Sequence, residues 1–246
     1  MSIKRGEITT KIIKNGLIFN MDPANRASTT PVSNVETSFN TVDTSISGAF
    51  SDNGIFDSST ITPSFAFGGT DDKIDLNEKF NFVQSTGKFT ISNWIKLTQP
   101  ESNTLQSIIG NNYTTSNVGW YFFHDDRASQ AHDKTLRFLY SDGAGSSVVV
   151  DNDSAITNTS WNNITVTSNG TTIRVYKNGS QLSTTGTIPG ITGTTGHANT
   201  RIGGSTNGTG ANFLNGSLGS IHIYNRALSA EEVLHNYNAL KSRFGL

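Results

Sequence analysis

The chain has 246 residues, a length that suits one large domain; only 15% are charged and 24 are Gly, so Ser, Thr and Asn must carry much of its solubility. A formal net charge of −1 gives no global attraction to nucleic acid or to an anionic membrane. Cys is absent, which excludes a disulfide framework, a thiol nucleophile and a thiolate metal site, and no stretch approaches the ~20 apolar residues of a membrane span. The N-terminus also lacks the uninterrupted apolar run of a secretory signal, so signal-dependent secretion is not expected.

The first strand signal is Leu17 to Met21, followed by the turn-prone DPANRASTTP. Residues 31 to 60 are rich in Ser, Thr and Asn and show only weak alternation. From Ser64, SFAFGGTDDKIDL places Phe65 and Phe67 on one face ahead of a Gly-Gly turn and a second strand. FTISNWIKL then sets Phe89, Ile91, Asn93 and Ile95 on one side and Trp94 on the other. LQSIIGNN, VGWYFFH, TLRFLYSD and SVVVDND add further short apolar runs between polar turns. Residues 161 to 182, WNNITVTSNGTTIRVYKNGSQL, are interrupted at Asn169-Gly170 and Asn178-Gly179. Asn-Gly accepts the positive φ values of a type I′ turn, so this stretch predicts a three-strand antiparallel meander with Ile164, Val166, Ile173, Val175 and Leu182 on one face. One strong helix signal closes the chain: Ser229 to Glu232 reads as a capping box, with Val233, Tyr237 and Leu240 at i, i+4 and i+7. No internal repeat recurs at a solenoid or propeller period. The expectation is an all-β fold with a short C-terminal helix.

In order and spacing, GLIFNMDPAN, FAFGGTDDKIDL, FTISNWIKL with the later W-x2-I-x-V and YKNG hairpin, and RIGG…FLNGSLGSIHIYNRALSAEEV resemble the laminin-G-like, or concanavalin A-like, jelly-roll family over about residues 16 to 243. The resemblance implies a two-sheet antiparallel jelly-roll sandwich of six or seven strands per sheet, with the N- and C-terminal strands close together. It divides the chain into an N-terminal arm, residues 1–15, and a sandwich domain, residues 16–246. The opening GLIFNMDPAN and closing NYNALKSRFG look like domains in structural proteins of large, especially marine, tailed bacteriophages.

Hydrolases on this scaffold resemble one another in two or three acids alternating on one strand, and the chain's Glu residues at 7, 36, 78, 101, 231 and 232 form no such motif. Nucleophile-elbow, zincin, phosphate-loop and dinucleotide motifs are absent too. The densest polar cluster is HDDRASQAHD, residues 124 to 133, read as a solvated inter-strand loop. With Tyr113 in the NNYTTSN loop, its His124, Asp125 and Asp126 are the candidate glycan-facing residues. Asp71 and Asp72 are candidate Ca2+ ligands, because laminin-G-like domains often bind Ca2+ at the sandwich rim through hard oxygen donors. Against this, Leu218-Gly219-Ser220-Ile221 stands where related sequences often carry an acidic pair. Trp94, Trp120 and Trp161 sit in strand patterns and are assigned to the core rather than to a sugar platform. Lys4, Arg5, Lys11, Lys14, Lys241 and Arg243 converge on one pole if the termini meet, and form the candidate partner-docking surface.

These features point to a non-catalytic virion structural protein, a capsid decoration or surface-fibre type that docks on other virion proteins and also contacts surface glycans, located at the virion surface. A lectin-like adhesion module at an extracellular or cell surface is the alternative, and a glycoside hydrolase a more distant one. No cofactor is required on this reading, and Asp71 and Asp72 are the candidates for an optional Ca2+ ion. Neither nucleic acid nor membrane is an expected partner, and homo-oligomerisation is left open.

Overall fold

Alternating apolar residues become paired strands along nearly the whole chain. The structure, a computed structural model, describes residues 11–29, 35–51, 55–58, 62–111, 118–142, 147–188, 199–204 and 212–246. In chain order the strands are β1 Leu17–Met21, β2 Thr37–Phe39, β3 Ser47–Phe50, β4 Phe56–Asp57, β5 Ser64–Gly68, β6 Ile74–Asp75, β7 Lys88–Leu97 and β8 Leu105–Gly110. They continue as β9 Val118–Asp125, β10 Thr135–Asp142, β11 Ser147–Asn152, β12 Asn162–Asn169, β13 Thr172–Lys177, β14 Ser180–Thr187, β15 Arg201–Ile202 and β16 Asn215–Tyr224. Two eight-stranded antiparallel sheets result: one in the order β14-β13-β12-β7-β16-β5-β4 with β1 also on β16, the other in the order β11-β10-β9-β8-β15-β6-β3-β2. Eight strands per sheet exceed the six or seven that the resemblance implied, and two-residue strands such as β4 and β15, too short to show alternation, are among the eight. The terminal strands meet as expected: β1 pairs with residues 221–224 of β16, while β5 pairs with 215–218 along the same edge.

Between the sheets lies one large core. Phe89, Ile91 and Ile95 of β7, Trp120 and Phe122 of β9, Phe138 and Tyr140 of β10, and Ile221 and Ile223 of β16 all point into it. Trp94 faces the opposite way and is nevertheless fully buried. The reason is the C-terminal helix, α1 Ala230–Leu240, and the 3-10 turn Lys241–Phe244 behind it, which cover the outer face of the first sheet. There Leu17, Tyr176, Tyr224, Leu228 and Val233 form a second apolar cluster, with Ile12 and Ile13 packed on it. Both halves of the Ser229/Glu232 capping box are present, which satisfies backbone donors that the first helical turn would leave open. A five-residue helix at Phe82–Thr86 is an addition that a single turn's worth of sequence did not announce.

The meander β12-β13-β14 forms in the expected register, with Val166 opposite Val175. Its two turns differ, however. Asn178 and Gly179 both take positive φ, 51° and 80°, whereas at the first turn only Gly170 does, with φ 93°. There the Asn169 side chain accepts from the amides of Thr171 and Thr172 and closes the loop as an Asx turn.

Candidate functional site

On the outer face of the second sheet, β9 presents Tyr121, Phe123 and Asp125 in alternate positions. Tyr121 and Phe123 stack with ring centroids 4.6 Å apart, and the Arg137 guanidinium of β10 lies 5.2 Å over Phe123. Arg137 also bridges two carboxylates: its Nη1 donates to Asp125 at 2.7 Å and its Nε to Asp151 of β11 at 2.7 Å. Arg127 grips Asp125 with Nε and Nη2, each at 2.8 Å, and His132 Nε2 stands 3.7 Å away. Burial alone would raise the pKa of Asp125, yet the hydrogen bonds from Arg127 and Arg137 hold its carboxyl down at about 2.

This arrangement revises the reading of residues 124–133 as an exposed loop. His124 and Asp125 are strand residues with no exposed surface, and only the stretch from Asp126 onward forms the connection. His124 points toward the sandwich interior; its ring faces the Ile156 backbone without a well-formed hydrogen bond, and burial pushes its pKa down to about 4. Asp126 accepts from the amides of Asn103 at 3.1 Å and Lys134 at 3.0 Å, tying two loops together. Tyr113 lies outside the described residues. Sequence reasoning misses Arg127, Arg137 and Asp151, although an Arg interrupting the apolar run TLRFLY is a signal that the strand needs a partner for charge.

Asp71 and Asp72 sit in the turn after β5. Asp72 accepts from the Gly68 amide and Asp71 accepts from Thr70 Oγ1 at 2.9 Å, so both side chains hold the turn that contains them. Among the described residues no group of three or more His, Asp or Glu side chains is placed to hold a metal ion. Trp94 and Trp120 are fully buried, while Trp161 meets Phe244 edge-on at 4.9 Å.

Of the basic residues assigned to the terminal pole, Lys4 and Arg5 lie outside the described residues. Lys11, Lys14 and Arg243 line one cleft, and Lys241 Nζ lies 5.6 Å over the Tyr237 ring. Several hydrogen bonds fasten the two ends together, among them one that Arg226 Nε donates to Asn15 O at 2.9 Å. Ile13 N donates to Asn236 Oδ1 at 2.8 Å, Tyr224 Oη donates to Ile13 O at 3.0 Å, and His235 Nε2 donates to Lys11 O at 2.9 Å.

The profile of the family described as the concanavalin A-like lectin/glucanases superfamily matches residues 67–234. No curated protein matches the chain in sequence. Among solved structures it is similar to the binding domain of botulinum neurotoxin serotype D, at 17% identity and a TM-score of 0.66 over 90% of this chain and 51% of that one. It is also similar to the CBM40 of the Ruminococcus gnavus IT-sialidase, at 18% identity and a TM-score of 0.55 over 70% of this chain and 93% of that one. The leech intramolecular trans-sialidase aligns at 19% identity and a TM-score of 0.56 over 71% of this chain and 26% of that one. The chain thus spans about half of the toxin binding domain and a quarter of the leech enzyme. With the profile covering more than half of its length and the two-sheet sandwich in place, the chain belongs to the concanavalin A-like lectin/glucanases superfamily.

Proposed function

We propose that the chain is a non-catalytic, lectin-type module that binds glycans. The observation that carries this reading is Arg137, seated between Asp125 and Asp151 on the outer face of the second sheet. Retaining glycoside hydrolysis needs two carboxyls about 5 Å apart, one ionised and one protonated. A guanidinium bonded to both occupies the space between them, and together with Arg127 it holds Asp125 in its ionised form. Among the described residues, every carboxyl whose pKa departs from its ordinary value, at Asp43, Asp125, Asp133, Glu231 and Glu232, departs downward. That is the wrong direction for a general acid. The sialidase CBM40 that shares the fold is bound to α2,3-sialyllactose, and botulinum neurotoxin type C depends on two ganglioside molecules for cell entry. Both relatives support glycans as the ligand class. A glycan array probed with the full chain should give saturable binding to at least one glycan group and no release of reducing sugar from it. An array without binders would remove the glycan reading, and turnover would remove the non-catalytic one.

A second reading is a virion structural protein that docks on other virion proteins at the particle surface. It draws on the phage-like sequence character and on the fastening of residues 11–14 to the C-terminal helix, which gathers Lys11, Lys14 and Arg243 on one pole. Recovery of the chain at fixed copy number on purified particles would support this reading, and its absence from them would overturn it.

A further inference from the structure

The two ends of the chain enclose an open cleft of about 470 Å³ on the outer face of the first sheet. Its floor is Asn20 of β1 and His222 of β16, directly opposite each other in the strand register. Lys11, Lys14, Leu240 and Arg243 line it above that floor. Several polar groups here lack partners among the described residues. His222 is only 3% exposed, and its ring lines the cleft. Asn20 Oδ1 is unpaired, although Asn20 Nδ2 donates to Thr41 Oγ1 at 2.8 Å. Arg243 gives Nη1 to Asp22 at 2.8 Å but leaves Nε and Nη2 without a partner.

Buried polar groups are normally hydrogen-bonded, so several unpaired ones around one cleft call for an occupant. Charge indicates its sign: Lys11, Lys14 and Arg243 face the single carboxylate of Asp22, which Arg243 already engages. Geometry indicates its shape, since the Nε and Nη2 edge of a guanidinium matches two oxygens of one carboxylate or phosphate. The volume lies in the range of small-ligand sites and admits a sugar ring. Asn20 and His222 offer hydrogen-bonding atoms to hydroxyls beside the charge. We propose that this cleft binds a small oxyanionic ligand, a sugar carboxylate or a phosphate group, between the lysines of the N-terminal segment and Arg243. The site stands apart from the glycan reading above, because a neutral glycan could bind elsewhere on the sandwich while this cleft still took an anion.

The test is an amide-resolved NMR titration of the full chain with glucuronate, glucose and inorganic phosphate. Glucuronate or phosphate should shift the resonances of Asn20 and His222 saturably, and glucose, which has the same ring without the carboxylate, should not. Lys14→Gln should weaken binding at least five-fold. Asp22→Asn, which removes the competing carboxylate, should tighten it by a similar factor. Tenfold preference for glucuronate over phosphate assigns the cleft to an acidic sugar, and the reverse preference assigns it to a phosphate; both keep the site. No saturable shift with either anion, or unchanged affinity in a Lys14→Gln chain whose spectrum remains native, would overturn the proposal.

Discussion

Phe244 stacks face to face on Trp94, with ring centroids 4.0 Å apart and planes within 9°. Tyr237 lies on the same indole at 5.8 Å, and Trp161 closes the cluster edge-on to Phe244. The sheet is shaped to receive the ring. β16 bulges at Gly219 and Ser220, between the pairs Leu218 with Ile95 and Ile221 with Asn93, so the bulge stands opposite Trp94. A Cβ on Gly219 would fall 2.5 Å from Phe244 Cε1. Phe244→Ala should therefore cost about 3 kcal/mol, within the usual range for deleting a buried aromatic ring. Gly219→Ala should cost about 1–3 kcal/mol by forcing the C-terminal turn off the sheet. Chemical denaturation curves check both, and near-native midpoints for the two variants would show that the helix contributes little to holding the domain together.

That contact also shows how far the sequence could be read. Strand periodicity located most of the long strands, and the capping box located the helix, because both patterns are local. The departure at Leu218-Gly219-Ser220-Ile221 was visible as missing acids, but its cause is a ring 25 residues further on, which no local pattern encodes. Trp94 could be assigned to the face opposite Ile91 and Ile95, but its burial depends on a helix that returns to cover that face. Likewise His124 and Asp125 looked like loop residues because their charges broke the apolar run. In the structure Arg127 and Arg137 neutralise Asp125, and the strand continues to its end.

The meander separates conformational strain from steric strain at two glycines. At Gly179 a Cβ would lie 2.8 Å from Leu234 Cδ1 and 3.3 Å from Leu234 Cα, so the turn packs directly under the helix. At Gly170 the nearest atoms belong to the flexible Lys88 side chain, 3.3 Å away. Both take positive φ, which a side chain tolerates poorly. Gly170→Ala should cost about 1 kcal/mol, the backbone effect alone, and Gly179→Ala clearly more. Equal losses in thermal or chemical melts would mean that the helix does not press on the second turn.

Arg137 should be far harder to replace than a surface arginine. Its removal leaves Asp125, which has no exposed surface, with Arg127 as its remaining close guanidinium partner. Breaking a buried ion pair from one side costs about 3–5 kcal/mol, because the other charge stays desolvated. Arg137→Leu should fall near that range, while the double variant Arg137→Leu with Asp125→Asn should recover part of it. If the double variant were the sum of the singles, the two side chains would not be coupled.

Stability should fall with acid well above the range where carboxylates titrate. Burial pushes both His124 and His222 down to about 4, from an ordinary value of 6.5. Below pH 6.5 the unfolded chain takes up these two protons while the folded chain does not, so unfolding gains free energy as pH drops toward 4. At pH 5 each histidine should have removed about 2 kcal/mol relative to neutral pH, because every tenfold rise in proton concentration over that interval favours the protonated, unfolded chain by about 1.4 kcal/mol per ring. Asp125 contributes in the same direction only at lower pH, since a carboxyl held at about 2 loses its stabilising charge as pH falls from its unfolded value through that point. Unfolding midpoints at pH 7 and pH 5 should differ accordingly. His124→Leu, which cannot take up the proton and keeps an apolar group toward Ile156, should remove about half of that difference. A pH 5 midpoint equal to that at pH 7 would mean that the two rings protonate in place and are not shielded as their burial implies.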